Sequence, residues 1–188
     1  MTPILTPRLI LRSIQPDEVD VLQEMLAVED IKAEFKNIAA LGKSGLEREL
    51  VVRMQAGDGG RYPWLWIINK GTKEIVGFIL ARHYTVPRKA RQIYYAVRPS
   101  SRRQGFATEA LAGLAQQFWR VDRVPIVFVR GHAKNEGSKK TALAAGFRGI
   151  IHRKIPDLFF GYIADMEPTE AIPLIAEFLQ QPSTQTQV

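Results

Sequence analysis

A short basic turn containing one glycine is the segment of this sequence best suited to bind an anion. It runs from Arg102 to Thr108 (RRQGFAT) and follows an apolar, aromatic stretch, Gln92 to Val97. A turn that leads directly into a helix offers the N–H groups of the first helical turn and the positive end of the helix dipole. Gly105 lets a ligand approach the backbone, and Arg102 and Arg103 add positive charge. The segment therefore predicts a phosphate-binding loop.

The charge around this loop is strongly positive. The chain has a net charge of +7, and the stretch from Arg82 to Arg103 contains basic residues but no acidic one. A positive surface attracts a phosphorylated ligand, an acidic protein or RNA, and a solubilising surface is the plain alternative. No motif beyond charge favours a nucleic acid, so nucleic acid is not expected as the substrate.

Composition excludes several other kinds of chemistry. The 188 residues are 46% hydrophobic and 24% charged and include no cysteine, so a disulfide, a Cys nucleophile and a Cys-bound metal are all excluded. The three histidines, His83, His132 and His152, lack the spacing of metal ligands, and we predict no metal. The first residues lack a signal-peptide pattern, and no long apolar window exists. We expect a cytoplasmic protein with no membrane contact.

Apolar periodicity places these residues on a series of strands and helices. Strands are predicted at Thr6–Arg12, Trp64–Ile68, Ile75–Leu80, Gln92–Val97 and Pro125–Val129, and a closing hairpin at Arg148–Ile155 and Phe159–Met166. Helices are predicted after Pro16 with Val19, Leu22, Met25 and Leu26 on one face, at Gly45–Met54 with Leu46, Leu50 and Met54 aligned, after Gly105, from Asn135 to Gly146, and at Glu170–Leu179.

The remaining segments fit connections within one α/β domain. Asp30 to Ser44 has no clear period and is predicted to be a connection, while Gly57 to Gly60 predicts a flexible break. We predict a single domain over residues 1–180, followed by a polar tail, residues 181–188, that is expected to be disordered. The order of elements indicates an α/β (α+β) protein built on a mixed sheet.

Three segments resemble the GNAT superfamily of acyl-CoA-dependent N-acyltransferases. Arg102-x-x-Gly105-x-Ala107 resembles its (Gln/Arg)-x-x-Gly-x-(Gly/Ala) signature, and Asn135-x-x-Ser138 followed by Gly146-Phe147 resembles its second block. The N-terminal segment TPRLILRSIQPDEVDVLQEML is similar to that of the RimJ/RimL-type branch, best known as protein N-terminal acetyltransferases. The resemblance covers about residues 6–166. It implies a central, mixed and mostly antiparallel sheet with helices on both faces.

The resemblance also implies acetyl-CoA as the acyl donor, lying where the strands before and after the loop helix splay apart. The residues implied to bind it are Tyr95, Ala96, Val97, Arg102, Arg103, Gln104, Gly105, Phe106, Ala107, Thr108, Asn135, Ser138 and Lys139. Asn135 is equally suited to be a helix N-cap, and Lys139 to be a solvated lysine on a helix face. These alternatives stay open at the level of sequence.

The implied reaction is direct attack of an amine on the thioester, with a backbone N–H of Tyr94–Val97 polarising the carbonyl group. Ser138 is implied to protonate the departing thiolate, and its structural alternative is an ordinary residue in the first turn of a helix. Asp157 lies where some relatives place a carboxylate, and its structural alternative is a plain turn residue. Two departures are evident: Ala142 stands where many relatives carry a tyrosine acid, and Gln92 where the RimJ/RimL branch carries glutamate.

The predicted function is transfer of an acetyl group to an amine, in the first place the α-amine of a protein N-terminus. Acetylation of a small amine and acyl-CoA binding without turnover are the alternatives. The protein is expected to be a monomer or a homodimer.

Overall fold

The computed structural model describes residues 2–55, 64–84, 90–124, 126–132, 134–151 and 158–163. Several sequence predictions fall outside these residues: the break at Gly57–Gly60, the carboxylate of Asp157, the helix at Glu170–Leu179 and the tail at residues 181–188. The single-domain assignment for residues 1–180 stays a prediction.

The described residues form eight strands and six α-helices. The strands are β1 (Ile4–Leu5), β2 (Leu9–Ser13), β3 (Leu65–Asn69), β4 (Ile75–Tyr84), β5 (Ala90–Val97), β6 (Ile126–His132), β7 (Arg148–Ile151) and β8 (Leu158–Ile163). The helices are α1 (Val19–Leu26), α2 (Glu29–Glu34), α3 (Lys36–Ala39), α4 (Gly42–Gln55), α5 (Phe106–Gln116) and α6 (Glu136–Ala144). Hydrogen-bonded neighbours follow the order β1-β2-β3-β4-β5-β6-β8-β7. Among the described pairings, β5 with β6 is parallel and the others are antiparallel.

The chain divides into two compact units, and β4 and β5 each contribute residues to both. The first unit contains Met1–Leu80 and Tyr95–Phe106, and the second contains Ala81–Tyr94 and Ala107–Gln187.

In the first unit, β2 and β3 pair in register from Leu9 opposite Asn69 to Ser13 opposite Leu65. A charged network fixes the turn that follows β2. Arg12 donates two hydrogen bonds to the Glu18 carboxylate, at 2.7 and 2.5 Å, and the buried Trp66 donates Nε1–H to the same carboxylate at 3.0 Å. Burial alone would raise the pKa of Glu18, but these hydrogen bonds, together with one from a backbone N–H, outweigh it and lower that pKa.

Helix α1 buries the four residues that the sequence predicted, Val19, Leu22, Met25 and Leu26. Two other sequence predictions for this unit were wrong. Asp30–Ser44 is largely helical, because the buried Ile31 and Phe35 anchor α2, and Phe35 packs edge-on against Phe78 with ring centroids 4.9 Å apart. Met54 does not share the buried face of α4, since its side chain is 45% exposed.

In the second unit, β5 and β6 pair from Ala90 opposite Ile126 to Ile93 opposite Val129. Helix α5 presents the predicted apolar stripe, and its Leu111, Leu114 and Ala115 are fully buried, as is Phe118 in the π-helical turn that follows. The predicted closing hairpin is confirmed where described, with β7 and β8 antiparallel. The mixed, mostly antiparallel sheet confirms the predicted fold class.

Candidate anion-binding site

The predicted phosphate loop is an exposed turn between the end of β5 and the start of α5. A short 3₁₀ turn, Pro99–Ser101, leads into it, and α5 begins at Phe106. Arg103 and Gly105 have φ angles of +59° and +79°, in the left-handed region. Gly105 enters this region without steric cost, which explains the glycine of the motif. Left-handed residues in a turn gather backbone N–H groups into a concave surface of the kind that binds anions.

Strand β4 positions the beginning of the loop. Ile67 pairs with Gly77 and Ile68 with Ile75, so Val76 is an extra residue that makes a β-bulge in β4. The carbonyl oxygen of Val76 accepts the backbone N–H of Arg98 at 2.8 Å. The bulge therefore fixes the residue from which the loop departs.

Arg102, the first residue of the motif, connects the loop to the end of β5 and to α2. Its Nε–H donates to the carbonyl oxygen of Val97 at 3.0 Å, and its guanidinium forms an ion pair with Asp30 of α2 at 2.7 Å. The hydrogen bond from Arg102 lowers the pKa of the Asp30 carboxyl group. Because Asp30 balances the charge of Arg102, the net positive charge at the loop depends on the neighbouring cations.

Arg8 also contacts the loop, and it was not among the predicted site residues. Its Nη1 donates to the carbonyl oxygen of Gln104 at 2.9 Å, and its Cζ lies 5.0 Å from the centroid of the Phe106 ring. Its Nη2 is 3.1 Å from the position that a Cβ would occupy at Gly105. The only sequence signal for this contact was the arginine within the N-terminal segment that resembles the RimJ/RimL branch.

The end of β5 lies against β4 at very short distance. Ala96 and Val97 are buried and Tyr95 is half-buried. A Cβ on Gly77 would lie only 2.3 Å from the carbonyl oxygen of Ala96. Gly77 therefore allows a close approach of the two backbones that any side chain would prevent. The first unit thus brings together Tyr95–Val97, the part of the loop from Arg102 to Phe106, and Arg8.

The second unit contains the residues of the other motif. Asn135 caps α6, because its Oδ1 accepts the backbone N–H of Ser138 at 3.0 Å, so the predicted N-cap role is confirmed. Ser138 Oγ lies beside β6, 3.4 Å from where a Cβ on Gly131 would be. Lys139 forms an ion pair with Glu136 at 3.6 Å, as expected of a lysine on a helix face. Gly146 ends the helix with a φ of +92°, and Phe147 is buried as predicted.

Other candidate groups contribute less. Gln92, which is 2% exposed, and Ala142, which is fully buried, have side chains that do not titrate, so neither supplies an acid or a base to a ligand. Within the described part of the chain, no group of three or more His, Asp or Glu residues could hold a metal ion. No helix among the described residues is long and apolar enough to span a bilayer.

The fold and the loop define a class of enzyme. The acetyltransferase (GNAT) domain family matches residues 8–148, and the chain belongs to this family. It is therefore an acetyltransferase, and the predicted GNAT family membership is confirmed.

Three solved structures with the same fold are distant in sequence. An acetyltransferase of the GNAT family from Bacillus anthracis is 16% identical with a TM-score of 0.67, and the match covers 88% of this chain and 100% of that one. Ribosomal-protein-S5-alanine acetyltransferase from Vibrio fischeri is 13% identical with a TM-score of 0.67, covering 89% and 100%. Spermidine N-acetyltransferase from Vibrio cholerae, in complex with CoA and spermine, is 11% identical with a TM-score of 0.69, covering 84% and 96%. No curated protein sequence matches the chain.

The residues around the loop fit the acetyl-CoA that GNAT acetyltransferases use. The pyrophosphate of CoA is an anion, and the loop offers left-handed backbone at Arg103 and Gly105 beside the guanidinium of Arg8. Gly105 has no side chain to separate a phosphate from its N–H group. The electrostatics and the available space therefore both suit a phosphorylated donor.

Proposed function

We propose that this acetyltransferase moves the acetyl group of acetyl-CoA to the α-amine of a protein N-terminus. The observation that carries the proposal is the position of the N-terminal segment resembling the RimJ/RimL branch. Arg8 of that segment contacts the loop at Gln104, and Arg12 forms the network with Glu18. The segment that suggests the branch is thus part of the proposed donor site and of its support.

Acetyl-CoA supplies an activated acyl group as a thioester. Within the first unit, the loop from Arg102 to Phe106 would hold its pyrophosphate, and backbone groups of Tyr95–Val97 would lie along its pantetheine arm. In the second unit, Asn135 and Ser138 remain the predicted contacts, with Ser138 as the predicted donor of a proton to the thiolate. Asp157, the other predicted catalytic residue, lies outside the described residues.

The choice of an α-amine follows from the weakness of the candidate bases. The strand before the loop carries a buried glutamine, Gln92, where the RimJ/RimL branch carries glutamate, and an amide does not accept a proton near neutral pH. An α-amine has a pKa of about 7.7–8.0 and a lysine side chain of about 10.4, so the α-amine is much more often neutral near pH 7. A site with a weak base should therefore acetylate α-amines faster.

Two matched peptides test the proposal, one with a free N-terminus and no lysine, the other with a blocked N-terminus and one lysine. Release of CoA is expected with the first peptide and should increase between about pH 7 and 9 as its α-amine loses its proton. Spermidine is the third acceptor, because one solved structure with this fold is a spermidine N-acetyltransferase. Faster acetylation of the blocked lysine peptide or of spermidine would overturn the proposed acceptor.

A further inference from the structure

We infer that Arg8 is a positioning residue for the donor site: it orients the peptide group between Gln104 and Gly105 so that the N–H of Gly105 points toward the bound anion. The inference rests on the proposed binding of the acetyl-CoA pyrophosphate at this loop. It assigns a role to a residue that lies 96 positions away from the loop in sequence.

One peptide group links the contact of Arg8 to the proposed anion site. The carbonyl oxygen of Gln104 and the N–H of Gly105 belong to the same planar unit, and in a trans peptide they point in opposite directions. Arg8 holds the carbonyl oxygen through its Nη1 at 2.9 Å. The N–H of Gly105 therefore points away from Arg8, toward the side where a ligand can accept it.

This peptide group needs a contact from outside the loop to fix its orientation. Gly105 has a φ of +79° and no side chain, so its flanking peptide groups rotate more freely than those of other residues. The side chain of Gln104 turns back to the carbonyl oxygen of Ser100 at 3.3 Å, which orders the turn but leaves the orientation of the 104–105 peptide group to another contact. Arg8 supplies that contact.

Arg8 is itself held by its neighbours. Its carbonyl oxygen accepts the backbone N–H of Lys70 at 2.8 Å, and the next residue, Leu9, is fully buried at the start of β2. The Cζ of its guanidinium lies 5.0 Å from the ring centroid of the buried Phe106, a cation–π contact that restrains the side chain. Arg8 is therefore held at its backbone and at its guanidinium, on the side chain that contacts Gln104.

The contacts of Arg8 with the loop also decide which part of the acetyl donor should be affected. Its Nη1 contacts Gln104, and its Nη2 lies 3.1 Å from the Cβ position at Gly105, so both atoms meet the turn that is proposed to hold the pyrophosphate. Loss of these contacts should act on the phosphate part of the donor and leave its thioester part untouched.

The test therefore compares two acetyl donors, acetyl-CoA and S-acetylpantetheine, which lacks the pyrophosphate. In Arg8→Ala, the ratio of kcat/KM for acetyl-CoA to that for S-acetylpantetheine should fall about ten-fold, the effect expected for a hydrogen bond from a charged donor. The control is Arg148→Ala, which removes one exposed arginine from β7 and makes the same change in net charge. In the control the ratio should stay within about two-fold of the parent value.

Arg8→Lys keeps the charge but loses the planar, two-pronged donor, so its ratio should also fall, though less than in Arg8→Ala. It decides the question if Arg8→Ala does not fold. A ratio equal to that of Arg148→Ala, or an equal loss with both donors, would overturn the inference. If the parent enzyme shows no preference for acetyl-CoA over S-acetylpantetheine, the proposed pyrophosphate site is wrong, which separates that failure from a failure of Arg8.

Discussion

Gly77→Ala is expected to damage catalysis much more than stability. A Cβ at this position would lie 2.3 Å from the carbonyl oxygen of Ala96 and 3.2 Å from the Cα of Val97. Real Cβ atoms essentially never approach another heavy atom closer than 3.0 Å. The contact of 2.3 Å with Ala96 would therefore force β4 and β5 to shift apart by at least 0.7 Å, the difference between 3.0 and 2.3 Å. The added Cβ would meet backbone atoms of β5, so no flexible side chain can move to relieve the contact.

The size of both effects follows from that displacement. Overpacking of this kind costs about 1–3 kcal/mol. For a chain of this size each kcal/mol lowers Tm by about 2–4 °C, which gives a loss of about 2–12 °C. Activity should suffer more, because a misplacement of about 1 Å can cost about a hundred-fold in rate and Ala96–Val97 is the proposed pantetheine strand. We expect kcat/KM to fall at least about ten-fold.

The assay is release of CoA thiol with a peptide acceptor, together with thermal unfolding. Gly71→Ala is the matched control, since a Cβ there would meet the nearest atom, Oδ1 of Asn69, at an ordinary 3.4 Å. If Gly77→Ala matched this control in both measurements, the close approach of β4 and β5 would be refuted. A lower Tm with unchanged kcat/KM would instead show that catalysis does not use the position of Ala96 and Val97.

Two further predictions concern single side chains. Ser138→Ala should lower kcat about a hundred-fold, as expected for loss of a general acid, with little change in KM for acetyl-CoA. The N-cap of α6 should survive, because Asn135 accepts the backbone N–H of residue 138 and not its side chain. An unchanged kcat would show that Ser138 is not a catalytic residue. Asp30→Asn should lower the free energy of unfolding by no more than about 1 kcal/mol, because its ion pair with Arg102 is largely exposed. The pKa of Asp30 is lowered by Arg102, so this contribution is present above its ordinary value of 3.8 and disappears as the pH falls through the lower folded-state pKa. Urea unfolding of both proteins between about pH 2 and 7 measures this, and a difference that persists at the acid end would contradict it.

Local patterns in the sequence predicted the elements that depend on interactions between residues close to each other in the chain. The spacing of Val19, Leu22, Met25 and Leu26 is sufficient for α1, because all four lie on the face that becomes buried. Asn135 is an N-cap for a similarly local reason, since its side chain bonds to a backbone N–H three residues later. Short, nearby interactions of this kind are encoded within a few residues.

Tertiary contacts account for what the sequence did not predict. Helix α2 is only six residues long and is stabilised by packing of Phe35 on Phe78, a contact with no local signature. The contact of Arg8 with the loop joins residues 96 positions apart, and the balancing of Arg102 by Asp30 joins residues 72 apart. The loop motif thus identified the place of the site, while the identity of its cations required the folded chain.

The first unit is discontinuous in sequence, and this sets an order of events during synthesis. Its two segments, Met1–Leu80 and Tyr95–Phe106, are separated by residues that belong to the second unit. Synthesis proceeds at about 5–20 residues per second, so Arg8 is added roughly 5–20 s before Gln104. The contact between these residues therefore forms after the residues of β2 and β3 have been made and can pair. A nascent chain that ends before Gln104 contains the guanidinium of Arg8 but not the carbonyl oxygen that accepts its hydrogen bond. The contact that we infer to support donor binding therefore becomes possible only after more than half of these 188 residues have been made.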